Sequence, residues 1–189
     1  MWRSCLGGSK LVAVSAVAAR SGHGLGKTLY ATINLIAGEG VEGDAHCGVT
    51  VKHRSRVAKD PSQPNLRQVH LIHAELLVEL TSRGFSVNAG ELGENILTRG
   101  IDLLALPART LLQFPSGVEL EITGLRNPCH QTNGHTPGLM DALLDKADDG
   151  SLIRKGGVMA VVLIGGAISV DDEIVTQLPK KPWTILHPV

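Results

Sequence analysis

What most constrains this chain is how often glycine interrupts it. Twenty-two of its 189 residues are glycine, and between them the apolar residues fall in short runs rather than long helical stripes. Leu11–Ala18, Leu29–Ile36, Thr110–Phe114, Val118–Thr123 and Val158–Ile164 all have this form. In the fourth run Val118, Leu120 and Ile122 alternate with Glu119, Glu121 and Thr123, the period of a strand with one wet face. Two helices interrupt the pattern. In His73–Arg83, Leu76, Leu77 and Leu80 share a stripe opposite Glu75 and Glu79, and Gly84 supplies the stop. Gly138–Lys146 reads as a second, shorter amphipathic helix. Asp102 caps a turn over Leu103–Leu106. Short strands, glycine turns and few helices predict a mostly β fold, an antiparallel β barrel with a few peripheral helices, rather than a doubly wound sheet. After Val158–Ile164 the pair Gly165-Gly166 and the run Ala167–Leu178 predict a closing hairpin, followed by a surface tail from Pro179.

A chain of this length forms one domain, here residues 1–189 with a core of about 10–178, and buries about 70% of its unfolded surface without a disulfide or metal staple. Aromatic residues make up 3% of it, so the core is aliphatic and platforms for stacking bases are missing. Formal net charge is zero. Both facts argue against nucleic acid and anionic membrane as partners, though not against a local anion pocket. No apolar run is long enough to span a bilayer, and the expected location is the cytoplasm. The start of the chain, with Arg3, Lys10 and an apolar stretch leading to small residues, also has the outline of a secretory signal. The strand reading of Leu11–Ala18 is preferred, because removing it would take away the first element of the sheet.

Three cysteines, Cys5, Cys47 and Cys129, have no regular spacing. They make no disulfide framework and no closed zinc site. Nor do His46, Cys47 and His53 have a recognised ligand spacing. Ser21 to Thr28 ends in Gly-Lys-Thr after a strand, but the first P-loop glycine is replaced by Ser21 and a strand follows where a helix is required. Nucleotide hydrolysis is therefore excluded.

Three polar stretches remain as candidate chemistry. Gly124 to Gln131 contains Arg126, Asn127, Pro128, Cys129 and His130. Proline disfavours helix at the preceding residue, so Arg126 and Asn127 are expected to be extended where a strand leaves the sheet. Arg126 and His130 beside Cys129 favour thiolate over thiol; a thiolate can attack, carry sulfur or ligate a soft metal. A lone cysteine is equally at home in a core. Gly43-Asp44-Ala45-His46 makes a tight loop whose side chains either reach into a cleft or bond their own backbone. Gly93-Glu94-Asn95 leads into a strand, and Asn95 and Arg99 suit polar or anionic groups. These three loops are expected to meet around one cleft, as loops do at a barrel mouth. Val57–Leu66 reads as a long surface loop, and His70 and His73 as structural histidines.

In order, Gly43-Asp44-Ala45-His46 with Gly48, Gln68-Val69-His70-Leu71-Ile72, Gly93-Glu94-Asn95-Ile96 with Thr98, Gly100 and Asp102, Asn127-Pro128-Cys129, and Gly165-Gly166 with Asp171-Asp172-Glu173 resemble the MOSC domain, the C-terminal domain type of molybdenum cofactor sulfurases. The resemblance runs over roughly residues 10–178. It implies a small β barrel of MOSC type whose cysteine, here Cys129, ligates the molybdenum of a pterin cofactor (molybdopterin) or carries sulfur as a persulfide. Arg126, Asn127, Asn95, Glu94, Gly93, Asp44 and His46 would line the cofactor cleft, with Lys27 and His23 as further anion contacts. Some relatives reduce N-hydroxylated compounds. The implied activity is a molybdenum-dependent reduction of such a small-molecule substrate, with a redox partner. The alternatives are a sulfur carrier loaded by a partner cysteine desulfurase, and a non-catalytic barrel that recognises a small molecule or a partner. The pyridoxal phosphate of the sulfurases belongs to their separate desulfurase domain, and no lysine-centred site for it is evident. Two departures are visible: no extended N-terminal β domain like that of the amidoxime reducers, and the long Val57–Leu66 loop where the domain has a shorter link.

Overall fold

The computed structural model describes residues 11–128, 130–134 and 136–189. In chain order its strands are β1 (Ala13–Ala19), β2 (Thr28–Tyr30), β3 (Thr32–Ile36), β4 (Gly40–Val41), β5 (Val69–His73), β6 (Ile96–Arg99), β7 (Leu111–Gln113), β8 (Glu119–Leu125), β9 (Leu144–Lys146), β10 (Leu152–Arg154), β11 (Val158–Ile164), β12 (Gly166–Ser169) and β13 (Val175–Gln177), and its helices are α1 (Arg54–Val57), α2 (Ala74–Ser82) and α3 (Leu139–Ala142). Eight strands make one sheet in the order β13-β7-β8-β11-β5-β6-β1-β2; β12-β3-β4 make a second and β10-β9 a third. Pairing is antiparallel except between β5 and β6.

The mostly β expectation is met, but the barrel is not. Among the described residues β13 and β2 stay at opposite edges of an open sheet. All three residues of each are exposed, so neither edge is covered by the other.

The middle of the large sheet is buried on both faces. Successive residues of a strand point to opposite sides. Leu71 and Ile96 belong to one core, shared with β1, β3, β8, β11 and β12, whereas their neighbours Ile72 and Leu97 belong to another, with Leu76 and Leu80 of α2 and Leu139 and Leu143 near α3. This double burial explains why Val69, Leu71 and Ile72 are all apolar, and why His70 between them is buried too. The helix predicted over His73–Arg83 is α2, ended by Gly84 at φ +87°. Asp102 caps the turn after it, its Oδ1 accepting from the Leu104 and Ala105 amides at 3.1 and 3.3 Å.

Four local expectations are corrected. Leu29–Ile36 is not one strand: the chain changes sheets at Ala31, because β2 pairs with β1 whereas β3 buries Ile33 and Leu35 and pairs with β12. Gly138–Lys146 is helical only through Ala142, since Leu144–Lys146 is captured by pairing with Leu152–Arg154 across the Gly150 turn. The closing hairpin does not form. A side chain on Gly165 would meet the Leu35 carbonyl at 2.6 Å, and Gly166 sits at φ +147°; these two glycines turn β12 away from β11 and onto β3. The tail is not loose coil either. Leu125 donates to the His187 carbonyl at 2.8 Å, Ala108 to that of Thr184 at 2.9 Å, and Leu186 is buried. The Val57–Leu66 loop is fastened near its end by buried Asn65, whose Nδ2 donates to the His46 and Gly48 carbonyls at 2.9 Å each.

Gly157 opens β11 at φ +86°, with its built Cβ position against the Leu71 carbonyl and 2.8 Å from Ile72 Cγ1. Gly26 has a similar φ of +80° but nothing within 4 Å. Gly157→Ala should therefore lower stability by about 2–4 kcal/mol, combining backbone strain with a forced shift, whereas Gly26→Ala should lower it by about 1 kcal/mol. Denaturant unfolding of both variants checks this; equal losses would contradict the close packing at Gly157.

Candidate functional site

Asp44 reaches its position through a glycine turn. Gly43 has φ +73°, and the Asp44 amide donates back to the Val41 carbonyl at 3.1 Å, so the carboxylate points inward instead of along the surface. There it accepts from five donors. Oδ1 takes the His46 amide at 3.0 Å and lies 3.2 Å from His46 Nδ1. Oδ2 takes the Arg20 amide at 3.2 Å, Asn95 Nδ2 at 3.1 Å and Lys27 Nζ at 2.7 Å. The Asp44 and Lys27 side chains are 1% and 6% exposed, so this is a buried ion pair. The sequence left two readings of Asp44 open, a backbone-bonded turn and a contribution to a cleft, and the carboxylate serves both: one oxygen closes its own loop, the other ties in segments far along the chain.

Asn95 completes the junction. Its Nδ2 donates to the Ala18 carbonyl at 3.1 Å as well as to Asp44, and its Oδ1 accepts the His70 amide at 3.2 Å. With every polar group of its side chain engaged, Asn95 orients the cleft rather than grasping a ligand. Glu94, the residue before it, faces the other way. It is 1% exposed, its Oε1 accepts the Gly90 amide, and its Oε2 has no partner. Gly90 also accepts the Lys27 amide at 2.9 Å, so Glu94 braces the backbone that carries Lys27. Gly90 has φ +83°, and a Cβ there would meet the Lys27 carbonyl at 2.7 Å.

One cleft opens over this junction. Its walls include His23, Lys27, His46, Gly93, Asn95, Arg126 and Asn127. The three loops distant in sequence thus meet, and among the candidates Asp44 and Glu94 lie behind the wall instead of on it. Arg126 directly follows β8, its amide donating to the Gly157 carbonyl at 2.9 Å. Cys129, the proposed thiolate, lies outside the described residues, as does Cys5. Arg99 is elsewhere, paired with Asp171 at 2.9 Å. His70 is structural in its bonding, Nε2 lying 2.7 Å from the Gly156 carbonyl, yet it also forms part of the cleft floor. His53 and Arg67 line the cleft too and were not singled out from sequence. The proximity of His53 to His46 and Cys47 was the available signal. Arg67 gave none, because its place depends on the chain entering β5.

The charges decide the character of this cleft. Burial alone would raise the Asp44 carboxyl, but the hydrogen bond to His46 and the Lys27 charge outweigh it and hold the group well below the usual carboxylate range. Burial lowers Lys27 from its ordinary value, against the pull of Asp44, and raises Glu94, partly offset by the Gly90 amide. For His53, burial and then the nearby positive charges of Arg67, His46, Arg126 and Arg56 lower it to about 4. His70 is lowered well below its ordinary value by burial and by Arg126. Arg67, Arg126 and Lys27 line the cleft and no carboxylate side chain does, so its lining favours anions. His23, His46 and His53 stand in a row, with ring centroids 5.4 and 6.4 Å apart. Among the described residues no group of three ligating side chains could hold a metal ion, and no helix is long and apolar enough to cross a membrane.

Two outcomes test these charges. Asp44 binds fewer protons folded than unfolded, so its stabilisation is present above about pH 4 and fades as pH falls below its ordinary value. Asp44→Asn should cost about 3–5 kcal/mol near neutral pH by stranding Lys27, and should flatten the loss of stability in acid. In side-chain NMR, His53 should titrate near 4; folded His53 stays neutral where the unfolded chain takes a proton, so stability rises with pH between that value and 6.5. Titration of His53 at or above 6.5 would refute the cationic cleft.

A family model described as the MOSC domain matches residues 54–175. Among solved structures, the YuaD protein from Bacillus subtilis is similar at a TM-score of 0.72 and 23% identity, over 90% of this chain and 98% of that one. YiiM from Escherichia coli is similar at 0.60 and 17% identity, over 92% and 73%, and YiiM from Geobacillus stearothermophilus at 0.57 and 16%, over 89% and 74%. At such identities these structures speak for the fold alone. No curated protein matches the chain.

Proposed function

The chain belongs to the MOSC domain family, and from that premise and the chemistry of its cleft we propose that it binds a molybdenum–pterin cofactor through a Cys129 thiolate and reduces a small N-hydroxylated molecule. The observation that carries this reading is the Asp44 junction. It ties together Lys27, His46 and Asn95, which line one cleft with Gly93, Arg126 and Asn127, and Asn127 comes immediately before Pro128 and Cys129 in the sequence.

The donor set fits such a group. A phosphorylated pterin is anionic and rich in amide-like edges. Lys27, Arg126 and Arg67 together with the Asn127 amide and the row of histidines offer charge and hydrogen-bond donors, and the acidic groups nearby are withdrawn behind the wall. A thiolate suits a soft, sulfur-ligated metal. When bound, the cofactor supplies the electron transfer that no side chain here provides.

The chain's own contribution is placement and proton supply. Reducing an N–OH group to N–H takes up two electrons and two protons and releases water; a redox partner provides the electrons. In this reading His46 delivers a proton to the departing oxygen. Asp44 fixes Nδ1 of the ring at 3.2 Å, which leaves Nε2 on the side away from the carboxylate, and the half-buried ring lines the cleft. This is the arrangement in which a carboxylate orients an imidazole for acid–base work. Lys27, paired with Asp44 at 2.7 Å, holds that carboxylate and keeps its ammonium group at the cleft.

Metal analysis of protein purified from a host that makes the cofactor tests the proposal. Molybdenum should be found near one per chain in the wild type and should be lost in Cys129→Ser with the fold retained. A persulfide mass increment on Cys129 without molybdenum would replace this reading with a sulfur carrier, and neither signal would leave a binding domain without this chemistry.

A further inference from the structure

Three consecutive residues of the cleft lining, His23, Gly24 and Leu25, lie in the segment 21–26, which belongs to no helix or strand. Ser21 to Gly24 are exposed, and Leu25 and Gly26 are half-buried. Three of the six residues are glycine, so the segment has little side-chain packing of its own to fix its shape. Arg20, at its entrance, closes it. Arg20 Nη1 donates to the Leu25 carbonyl at 2.9 Å and to the Gly26 carbonyl at 3.2 Å. A Cβ built on Gly24 would lie 2.8 Å from Arg20 Nη1 and 2.9 Å from its Cζ, so the guanidinium fills the space that a side chain at position 24 would need. The main chain of Arg20 is fastened elsewhere. Its amide donates to Asp44 Oδ2 at 3.2 Å, and its carbonyl accepts the Ala45 amide at 2.8 Å. One residue therefore joins the Asp44 junction through its backbone and the far end of the loop through its side chain. At the tip of the loop the His23 ring meets the His46 ring edge-on, with centroids 5.4 Å apart and planes at 81°.

We infer that Arg20 is a positioning residue for the cleft: its guanidinium latches the loop 21–26, and the latched loop sets the wall that limits access to His46. Arg20 is itself exposed and does not line the cleft, so it acts through His23, Gly24 and Leu25 rather than on a bound molecule. A latch of two hydrogen bonds at the surface is weak enough to open and reclose locally, without unfolding the sheet behind it. When it opens, His23 leaves the His46 ring and that side of the cleft widens. Where His46 is the proton donor of the function proposed above, the loop also decides what reaches it; the latch does not depend on that role.

The test is the rate at which diethyl pyrocarbonate modifies each histidine of the purified full chain, mapped by peptide mass analysis, together with the ring signals of His23 in NMR. Arg20→Gln should speed modification of His46 about fivefold, the effect of losing roughly one net hydrogen bond, and should move the His23 signals to those of a solvated imidazole. His187, exposed in the tail, should react at the wild-type rate. Arg20→Lys keeps the charge but not the planar fork, so it should fall between Arg20→Gln and the wild type. Gly24→Ala, which pushes the guanidinium off its seat without removing it, should act in the same direction as Arg20→Gln. Gly22→Ala, whose Cβ would meet nothing within 4 Å, should leave both readings unchanged. An unchanged His46 rate with unmoved His23 signals in Arg20→Gln would overturn the inference. So would equal acceleration at His46 and His187, which would mark general loosening instead of one opened wall. These readings need no bound cofactor, so they decide the latch whichever way the molybdenum analysis falls.

Discussion

One carboxylate holds the working end of this molecule together. Asp44 is buried, and a buried carboxylate without partners is prohibitively costly. Five donors from four segments offset that cost: two from His46 in its own loop, one from the end of β1 at Arg20, one from Lys27 before β2, and one from Asn95 before β6. The donors are as dependent on Asp44 as it is on them. Without it Lys27 would be a buried, unpaired ammonium, and Asn95 would lose the contact that joins the loop before β6 to the loop after β4. The position of the cleft walls thus follows from an electrostatic requirement rather than from apolar packing.

The same junction explains how a chain of zero formal charge presents a positive cleft. The negative charges near the site are used internally. Asp44 is consumed by Lys27 and backbone amides, and Glu94 is turned onto the Gly90 amide and pushed towards its neutral form by burial. Arg126, Arg67 and the histidines remain on the lining of the cleft. Strands anchor two of these groups: Arg126 directly follows β8 and its amide donates to the Gly157 carbonyl, and His70 lies within the doubly buried β5; the others are carried by loops.

How much of this was legible in the sequence depends on the range of the interaction involved. β8 and α2 were readable because alternation in Val118–Thr123 and the stripe of Leu76 and Leu80 are local signals with a single solution. The glycine-flanked loops around Asp44 and Asn95 were readable as places where backbone is tightly turned and polar groups are exposed to one another. What was not readable depended on partners far along the chain. The change of sheet at Ala31 and the turn at Gly165 are dictated by β3 pairing with β12, and Leu144–Lys146 becomes a strand because Leu152–Arg154 is there to pair with it. Closure into a barrel was inferred from short strands, glycine turns and the family resemblance, and a sheet with β13 and β2 at opposite edges does not show it. Asn95 was taken for a ligand contact because an amide is suited to one; its saturation by Ala18, His70 and Asp44 follows from three long-range placements. Arg67 reaches the cleft by the same kind of placement and left no local mark.

The central claim is that Asp44 and Lys27 act as one unit that assembles the cleft. A double-mutant cycle on the stability of Asp44→Asn, Lys27→Gln and the combined variant measures that unity most directly. Because either single change strands a buried partner and the second change relieves it, the double variant should be more stable than the sum of the single losses implies, with a coupling of about 1.5–3 kcal/mol. Losses that add to within about 0.5 kcal/mol, as for independent sites, would contradict the account.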